Sequence, residues 1–552
     1  MKDRKGCPHS MKKHKTRRRG LWTLGLLAVV SALWFMLRTG RKPTRIVYPC
    51  QQVAVENIKL FRLALLAPIP PSIISLRNST SFLKPMLILS TLLVSSFFIV
   101  NDPFSFSPNT SSANTTRVPL TLSPQSALGS NPSDLFFVQN ALGEEGNMSH
   151  AVSSLIELME AQDLYFYKNA SQNSGLIGHN DVVILKVNGQ WPYNDGTNTD
   201  LVKSVINAII GHPDGFTGEV VIADNGQGEG SMDYTQANSF DHTQSNTDVA
   251  EMFGSHNVST FLWDSIRRRT VQDFDDGDFT DGYVRNSSWY SETEIYVSYP
   301  KFTTEYGTYI SFKKGVWNNT GFDSDRLKVI NMPVLKSHTI YGVTGCIKHY
   351  MGVPQGSVAL SVHSSIPHEH FSIAQGGMAT LMVETRAPVL HLLDMIWINA
   401  NPMESSSRVG PWGDYSYTSF TDIIGDSQDP VALDYWASKN VLMTTAMLNY
   451  DTYSSLDPDY EPLSSHYSGY EQMHESFHNY LRRSKDVLID AGLQATMNQT
   501  EMNVFVTALE EIDPFGSDPT GLDPLVLTMV VILPVSAGIV VILVIFIKRR
   551  KK

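Results

Sequence analysis

Near its C-terminus the chain carries 23 consecutive residues without a charge, Leu525 to Ile547, followed at once by Lys548-Arg549-Arg550-Lys551-Lys552. A bilayer core of about 30 Å needs roughly 20 apolar residues in a helix. A basic cluster beside such a run marks the cytoplasmic side. Buried core helices seldom run this long without a charge and then stop at five cations. The run is therefore read as a transmembrane helix, residues 525–547, with a basic cytoplasmic tail, residues 548–552. Pro534 is compatible with a span, because membrane helices tolerate proline.

The N-terminal hundred residues form a second membrane region. Residues 1–19 hold nine Lys or Arg. Apolar stretches follow near 20–37, belted by Trp22 and Trp34, and near 85–100. A third candidate, 60–76, is broken by Arg62 and three prolines. Two crossings would leave either the basic head or the basic tail on the wrong side. Three crossings or one keep both cytoplasmic, and three is the preferred reading. A signal peptide is the alternative for the first stretch, but no small-x-small cleavage site closely follows Leu37. The expected location is the cell membrane, multi-pass, with the large middle region on the non-cytoplasmic side.

Charge separates the same regions. Residues 101–523 contain 52 Asp or Glu against 21 Lys or Arg, whereas the whole chain has a formal net charge of only −11. A domain this acidic repels nucleic acid and anionic lipid headgroups. Membrane is thus an expected partner through the apolar segments, and nucleic acid is not. The oligomeric state is not readable. Eight N-x-Ser/Thr acceptors, at Asn109, Asn114, Asn147, Asn169, Asn257, Asn286, Asn318 and Asn498, fit a glycosylated outer surface.

Residues 101–130 are rich in Ser, Thr, Asn and Pro and read as a stalk. Residues 131–512 read as one large α/β domain, and 513–524 as a linker to the C-terminal span. Within the domain, 181–187 (DVVILKV) is a short apolar run of the kind buried on both faces of a parallel sheet. Residues 199–210 place Leu201, Val202, Val205, Ile206, Ile209 and Ile210 on one helical face, with Thr197, Asn198 and Thr199 offered as N-cap. Residues 219–223 (EVVIA) make the next strand. The spacing also predicts a strand over 327–334 and a helix over 429–442. The fold class expected is α/β, a mostly parallel sheet with flanking helices, plus N-terminal and C-terminal transmembrane helices. Ligands of such sheets sit at the carboxyl ends of the strands.

Several local motifs occur in a fixed order: Lys186-Val187-Asn188, Thr197-Asn198-Thr199-Asp200, Asp224-Asn225, Leu335-Lys336-Ser337-His338, Thr344-Gly345-Cys346-Ile347-Lys348, and Asp429-Pro430-Val431-Ala432-Leu433-Asp434. Together, over roughly residues 180–445, they resemble the domain-of-unknown-function family 362 (DUF362). The resemblance implies a fold more than a reaction, since the family has no settled activity. Many of its members carry ferredoxin-type cysteines. This chain has only Cys7, Cys50 and Cys346 and no C-x-x-C pair, so an iron–sulfur cluster is not expected.

The segment 336–352 (KSHTIYGVTGCIKHYMG) is the richest in chemistry. It offers Lys336 and Lys348 as cations, the histidines His338 and His349, of which His338 is the candidate acid or base, and a Gly-Val-Thr-Gly turn including Thr344 and Gly345. Clustered cations stand out in so acidic a domain. With Lys186, Asn188, Asn198, Asp224 and Asn225 they define the expected site, whose ligand would be a small anionic molecule. Lys336, His338 and Lys348 are the candidate catalytic groups. No cofactor is identified from sequence. His363, His368 and His370 could with His338 hold a divalent metal, although their spacing fits no standard zinc pattern. The run 273–281 (DFDDGDFTD) offers hard oxygen ligands suited to calcium, the plainer reading being a solvated acidic loop. Residues 226–230 (GQGEG) only loosely resemble a phosphate-cradling turn. The alternative function is a non-catalytic cell-surface, envelope or adhesion protein.

Overall fold

The structure, a computed structural model, describes residues 117–192, 196–235, 243–293, 295–338, 342–355, 369–402, 418–461 and 476–511. The expected spans at 20–37, 60–76, 85–100 and 525–547, the basic head and tail, the linker at 513–524, Asn109, Asn114, His363 and His368 lie outside the described residues. Among the described residues no helix is long and apolar enough to cross a membrane.

In chain order the strands are β1 (Ser133–Gln139), β2 (Tyr167–Lys168), β3 (Ile177–Gly178), β4 (Val182–Val187), β5 (Glu219–Asp224) and β6 (Asn257–Leu262). There follow β7 (Gly282–Tyr290), β8 (Ile295–Thr303), β9 (Tyr309–Ser311), β10 (Gly315–Trp317) and β11 (Phe322–Asp323). The last six are β12 (Leu327–Met332), β13 (Val334–His338), β14 (Gly342–Thr344), β15 (Leu390–Asn399), β16 (Ser419–Ser427) and β17 (Met502–Ala508).

The central sheet runs β17-β1-β16-β15-β12-β4-β5-β6, with β13 and β14 added beside β15. β15, β12, β4, β5 and β6 pair in parallel. β16 runs antiparallel to both its neighbours. The sheet is therefore mostly parallel and the fold is α/β. Strands buried on both faces read as unbroken apolar runs, which is why β4 is legible as VVILKV, buried throughout. Alternation then assigns the faces. Val183, Leu185 and Val187 join the core that includes the helix Thr199–Ile210 and the helix Glu145–Glu160, while Val182 and Ile184 join the opposite core. That second core takes in the helices Pro430–Ala437 and Phe477–Asp490 and part of an antiparallel five-stranded sheet, β11-β10-β9-β8-β7.

Two expectations change in detail. The strand expected over 327–334 breaks at Pro333, because proline has no N–H for the ladder. β12 ends at Met332, and β13 leaves to pair with β15 and β14, its register on β15 shifting after Val334. The helix expected over 429–442 begins at Pro430, passes through a π-turn at Ser438–Leu442 and continues as Met443–Met447. Residues 117–130, stalk-like in composition, lie against the sheet. Arg117 bridges to Phe420 and ion-pairs with Asp422 at 2.6 Å, Gln125 pairs with Val504, and Leu122 is buried.

One strand residue departs from the apolar pattern. Asp426 on β16 is fully buried beside Val152, Leu155, Ile330 and Leu392, and neither carboxyl oxygen has a hydrogen-bond partner. Burial pushes its carboxyl well above the usual range, so folding favours the protonated form. The native state then holds the extra proton, and stability falls as pH rises above the ordinary carboxylate pKa, by about 1.4 kcal/mol per pH unit until the folded pKa is reached. Asp426→Asn keeps the shape and removes the ionisation. Chemical unfolding at pH 4 and pH 8 should show the variant gaining stability over the parent only at pH 8. An equal difference at both pH values would show that Asp426 does not titrate in this way.

Candidate functional site

The carboxyl ends of β4 and β5, together with β13, β14 and the short helix Cys346–His349, enclose a cleft of about 60 Å³. Its floor is an ion pair. Lys186, fully buried at the end of β4, places Nζ 2.9 Å from Asp224 Oδ1 at the end of β5. The same ammonium donates to His349 Nε2 at 3.0 Å. Withdrawing an ion from water costs several kcal/mol, so a buried lysine needs such partners. Burial pulls the Lys186 pKa down, and Asp224 opposes that shift.

The hydrogen bonds fix the state of His349. Its Nδ1 lies 2.7 Å from Asn331 Oδ1. The Asn331 amide donates to Cys346 O and, at 3.0 Å, to His391 Nδ1. An amide oxygen only accepts, so His349 Nδ1 carries a proton, while its Nε2 faces both the Lys186 Nζ and Val187 O at 3.0 Å. Burial and the Lys186 charge hold the His349 pKa well below its ordinary value. His391, also buried, is pushed down to about 3. The floor is thus a relay of oriented groups with two neutral imidazoles and one ion pair.

Asp224 Oδ2 accepts from Gly189 N at 2.8 Å, which completes its bonding. Gly352 passes directly over the pair, and a Cβ there would overlap Asp224 Oδ1 and approach Lys186 Nζ. Only glycine lets the chain cross so close. Around this floor stand Asn188, Gln190, Trp191, Asn225, Gln227, Lys336, His338, Thr344, Lys348 and Met351. Lys336 and Lys348 are both buried and have interactions of their own. Thr344 lies opposite Lys336 in the β13–β14 register. Its hydroxyl is buried and has no hydrogen-bond partner among the described residues.

The structure brings Lys186, Asn188, Asp224, Asn225, Lys336, His338, Thr344 and Lys348 to one cleft. Asn198 and Gly345 do not line it. Asn198 caps the helix Thr199–Ile210, accepting from Leu201 N, while its own N–H donates to Asp394. Gly345 packs on Asp434, whose carboxylate accepts from Cys346 N and Ile347 N. Burial pushes that carboxyl up to about 7. Burial likewise pushes the Cys346 thiol well up, so it stays protonated and offers no nucleophile.

Other motif residues also serve as ties. Asn188 Oδ1 accepts from Val334 N, and Asn188 N donates to Thr197 Oγ1, which in turn donates to Met332 O. This joins the end of β4 to the proline break. Asn225 is held by Tyr283 and Pro354. Asp429 caps the helix Pro430–Ala437. His349, Gly352, Gln190 and Gln227 were not among the expected site residues. The signal for His349 was its place beside Lys348 in a short glycine-led segment.

Two further motifs have internal partners. The N–H groups of Gly226 and Gly228 both donate to the Asp264 carboxylate, so this turn already holds an anion. In the acidic run, Lys301 reaches into the loop, donates to Gln272 O and Asp278 O, and lies 4.5 Å from the Phe274 ring. Its ammonium occupies the turn where a hard cation was considered, 4.0 Å from Asp278 Oδ1. Among the described residues no group of three or more His, Cys, Asp or Glu could hold a metal ion. His370 lies in the helix Glu369–Ala374, and its side chain is not described.

A family model, the domain of unknown function DUF362, matches residues 323–439. The matched span contains Lys336, His338, Thr344, Gly345 and Lys348; Lys186 and Asp224 lie before it. No curated protein and no solved structure matches the chain.

Removing one partner of a buried ion pair strands the other, at a typical cost of about 3–5 kcal/mol. Lys186→Met should therefore lower unfolding stability by that order. The double variant Lys186→Met/Asp224→Asn should recover part of the loss. Equal stability of the parent and the single variant in urea titrations would show that the pair is not buried as described.

Proposed function

We propose that this chain, whose residues 323–439 match DUF362, is a membrane-anchored protein with an outward-facing α/β domain that binds a small anionic ligand in the cleft above Lys186 and Asp224. One observation carries the reading. Three of the few cations of a strongly acidic region, Lys186, Lys336 and Lys348, line a single cleft at the carboxyl edge of the sheet. Elsewhere the acidic surface repels anions; here the local potential reverses. Lys336 and Lys348 supply the attraction, and His338 stands at the rim as the candidate proton donor or acceptor.

The anchor rests on the uncharged run at 525–547 and the basic residues around it. The outward orientation rests on the parity of the spans and on the glycosylation acceptors. Asn318 and Asn498 sit in exposed turns in which the Thr320 and Thr500 hydroxyls donate to the asparagine side chains. Asn147 differs, because both ends of its amide are bonded to the backbone of Leu142 and Asn140. A non-catalytic surface or adhesion role is the second reading. The protonated, buried Cys346 favours it, since the one described thiol is no nucleophile.

Two measurements bear on these readings. Lys336→Ala and Lys348→Ala, made separately, should each weaken binding of inorganic phosphate or malonate to the full chain about tenfold or more, read by titration calorimetry in detergent. Unchanged binding in both variants would remove the cleft as the site. When the chain is expressed in a glycosylating secretory host, peptide mass mapping should find glycans at Asn318 and Asn498 and none at Asn147. Bare asparagines at all three would place the domain on the other side of the membrane.

A further inference from the structure

We infer that the ligand of this cleft carries a phosphoryl dianion, as a phosphate monoester or as free phosphate. The inference rests on the anion-site reading above and narrows it to one chemical class.

The first observation is the charge of the lining. The described residues around the cleft include three lysines and one carboxylate, Asp224. That carboxylate is matched by Lys186 at 2.9 Å. Lys336 and Lys348 have contacts of their own, but the potential in the cleft follows the sum over its walls. His349 is fully enclosed beside Lys186, and burial and that neighbouring charge disfavour its protonated form. Lysines thus outnumber carboxylates among the described lining residues, which favours an anion with many acceptor oxygens.

The second observation is independent of charge. Thr344 is 5% exposed and lines the cleft, and its Oγ1 has no hydrogen-bond partner among the described residues. Buried hydroxyls are almost always bonded, so one left open at a cleft wall awaits a partner. The β13–β14 register sets Thr344 directly across from Lys336, and cross-strand neighbours on one face stand about 5 Å apart at Cβ. A hydroxyl and an ammonium therefore flank the same space. Phosphoryl oxygens are strong acceptors arranged tetrahedrally, and three of them can meet donors on several walls at once. A carboxylate offers two in one plane.

The test uses the full chain in a non-ionic detergent and five probes: methyl phosphate, inorganic phosphate, sulfate, malonate and acetate. The second proton of a phosphate monoester leaves near pH 6. Between pH 5 and pH 7 its dianion fraction, and hence its affinity relative to sulfate, should rise about tenfold. Sulfate does not titrate in this range, so the ratio cancels any titration of His338 or of the other groups facing the cleft. Methyl phosphate should also bind at least tenfold more tightly at pH 7 than acetate or malonate. Thr344→Val should weaken methyl phosphate about tenfold, with Thr344→Ser restoring it.

If acetate or malonate equals methyl phosphate, or the ratio to sulfate stays flat, the phosphoryl inference is overturned while the anion site stands. If none of the five probes binds, the anion site itself fails. Tighter binding of inorganic phosphate than of methyl phosphate identifies free phosphate as the ligand, and the reverse order identifies an ester.

Discussion

A lysine and an aspartate at the ends of two neighbouring parallel strands are withdrawn from water together, and the cleft is organised around that pair. Desolvating Lys186 and Asp224 costs several kcal/mol per ion, which their attraction repays only if every remaining bonding position is filled. That requirement explains the surroundings. Gly189 N donates to the second oxygen of Asp224, and His349 Nε2 lies 3.0 Å from Lys186 Nζ. Asn331 then orients His349, and Gly352 gives up a side chain so that the backbone can close over the pair. Each residue is in place because the ion pair beneath it would otherwise be unsatisfied.

The same logic separates structural polar residues from those with capacity to spare. Asn188, Asn198, Asn225, Asp429 and Asp434 are all buried or half-buried, and their side chains are used by caps, turns and strand ends. Asp264 and Lys301 likewise fill the glycine turn and the acidic loop from inside the protein. The Thr344 hydroxyl differs, because it faces the cleft with no partner among the described residues. A ligand can therefore gain most where the fold has left bonding capacity unspent, on the wall shared by β13 and β14. The buried Asp426 is also unsatisfied, but it sits among aliphatic side chains on the other side of the sheet and bears on stability.

Much of the fold was legible from periodicity. β4, the helix Thr199–Ile210 and β5 fall where apolar spacing puts them, because strands covered on both faces need unbroken apolar runs and a surface helix needs a stripe. β15, β16 and the five-stranded sheet were not read, since polar residues such as His391, Asp394, Thr421, Asp422 and Asp426 interrupt the apolar runs of buried strands. Of the expected site residues, Lys186, Asn188, Asp224, Asn225, Lys336, His338, Thr344 and Lys348 line one cleft, while Asn198 and Gly345 turn to other tasks. The local pattern already offered Asn198 as a cap, whereas which asparagines also line the cleft depends on where the strand ends meet.

The sequence by itself determined the β4–helix–β5 unit of the parallel sheet and the helix that follows Asp429, because those follow from local spacing. It also set the contrast between an acidic middle region and a few clustered cations. Tertiary structure decided the rest. It alone pairs Lys186 with Asp224 across 38 positions of chain and His349 with Lys186 across 163. It also made His349 neutral and left Thr344 open. Protonation and hydrogen-bond satisfaction depend on burial and on which groups meet in space, and neither is a property of neighbouring residues in the chain.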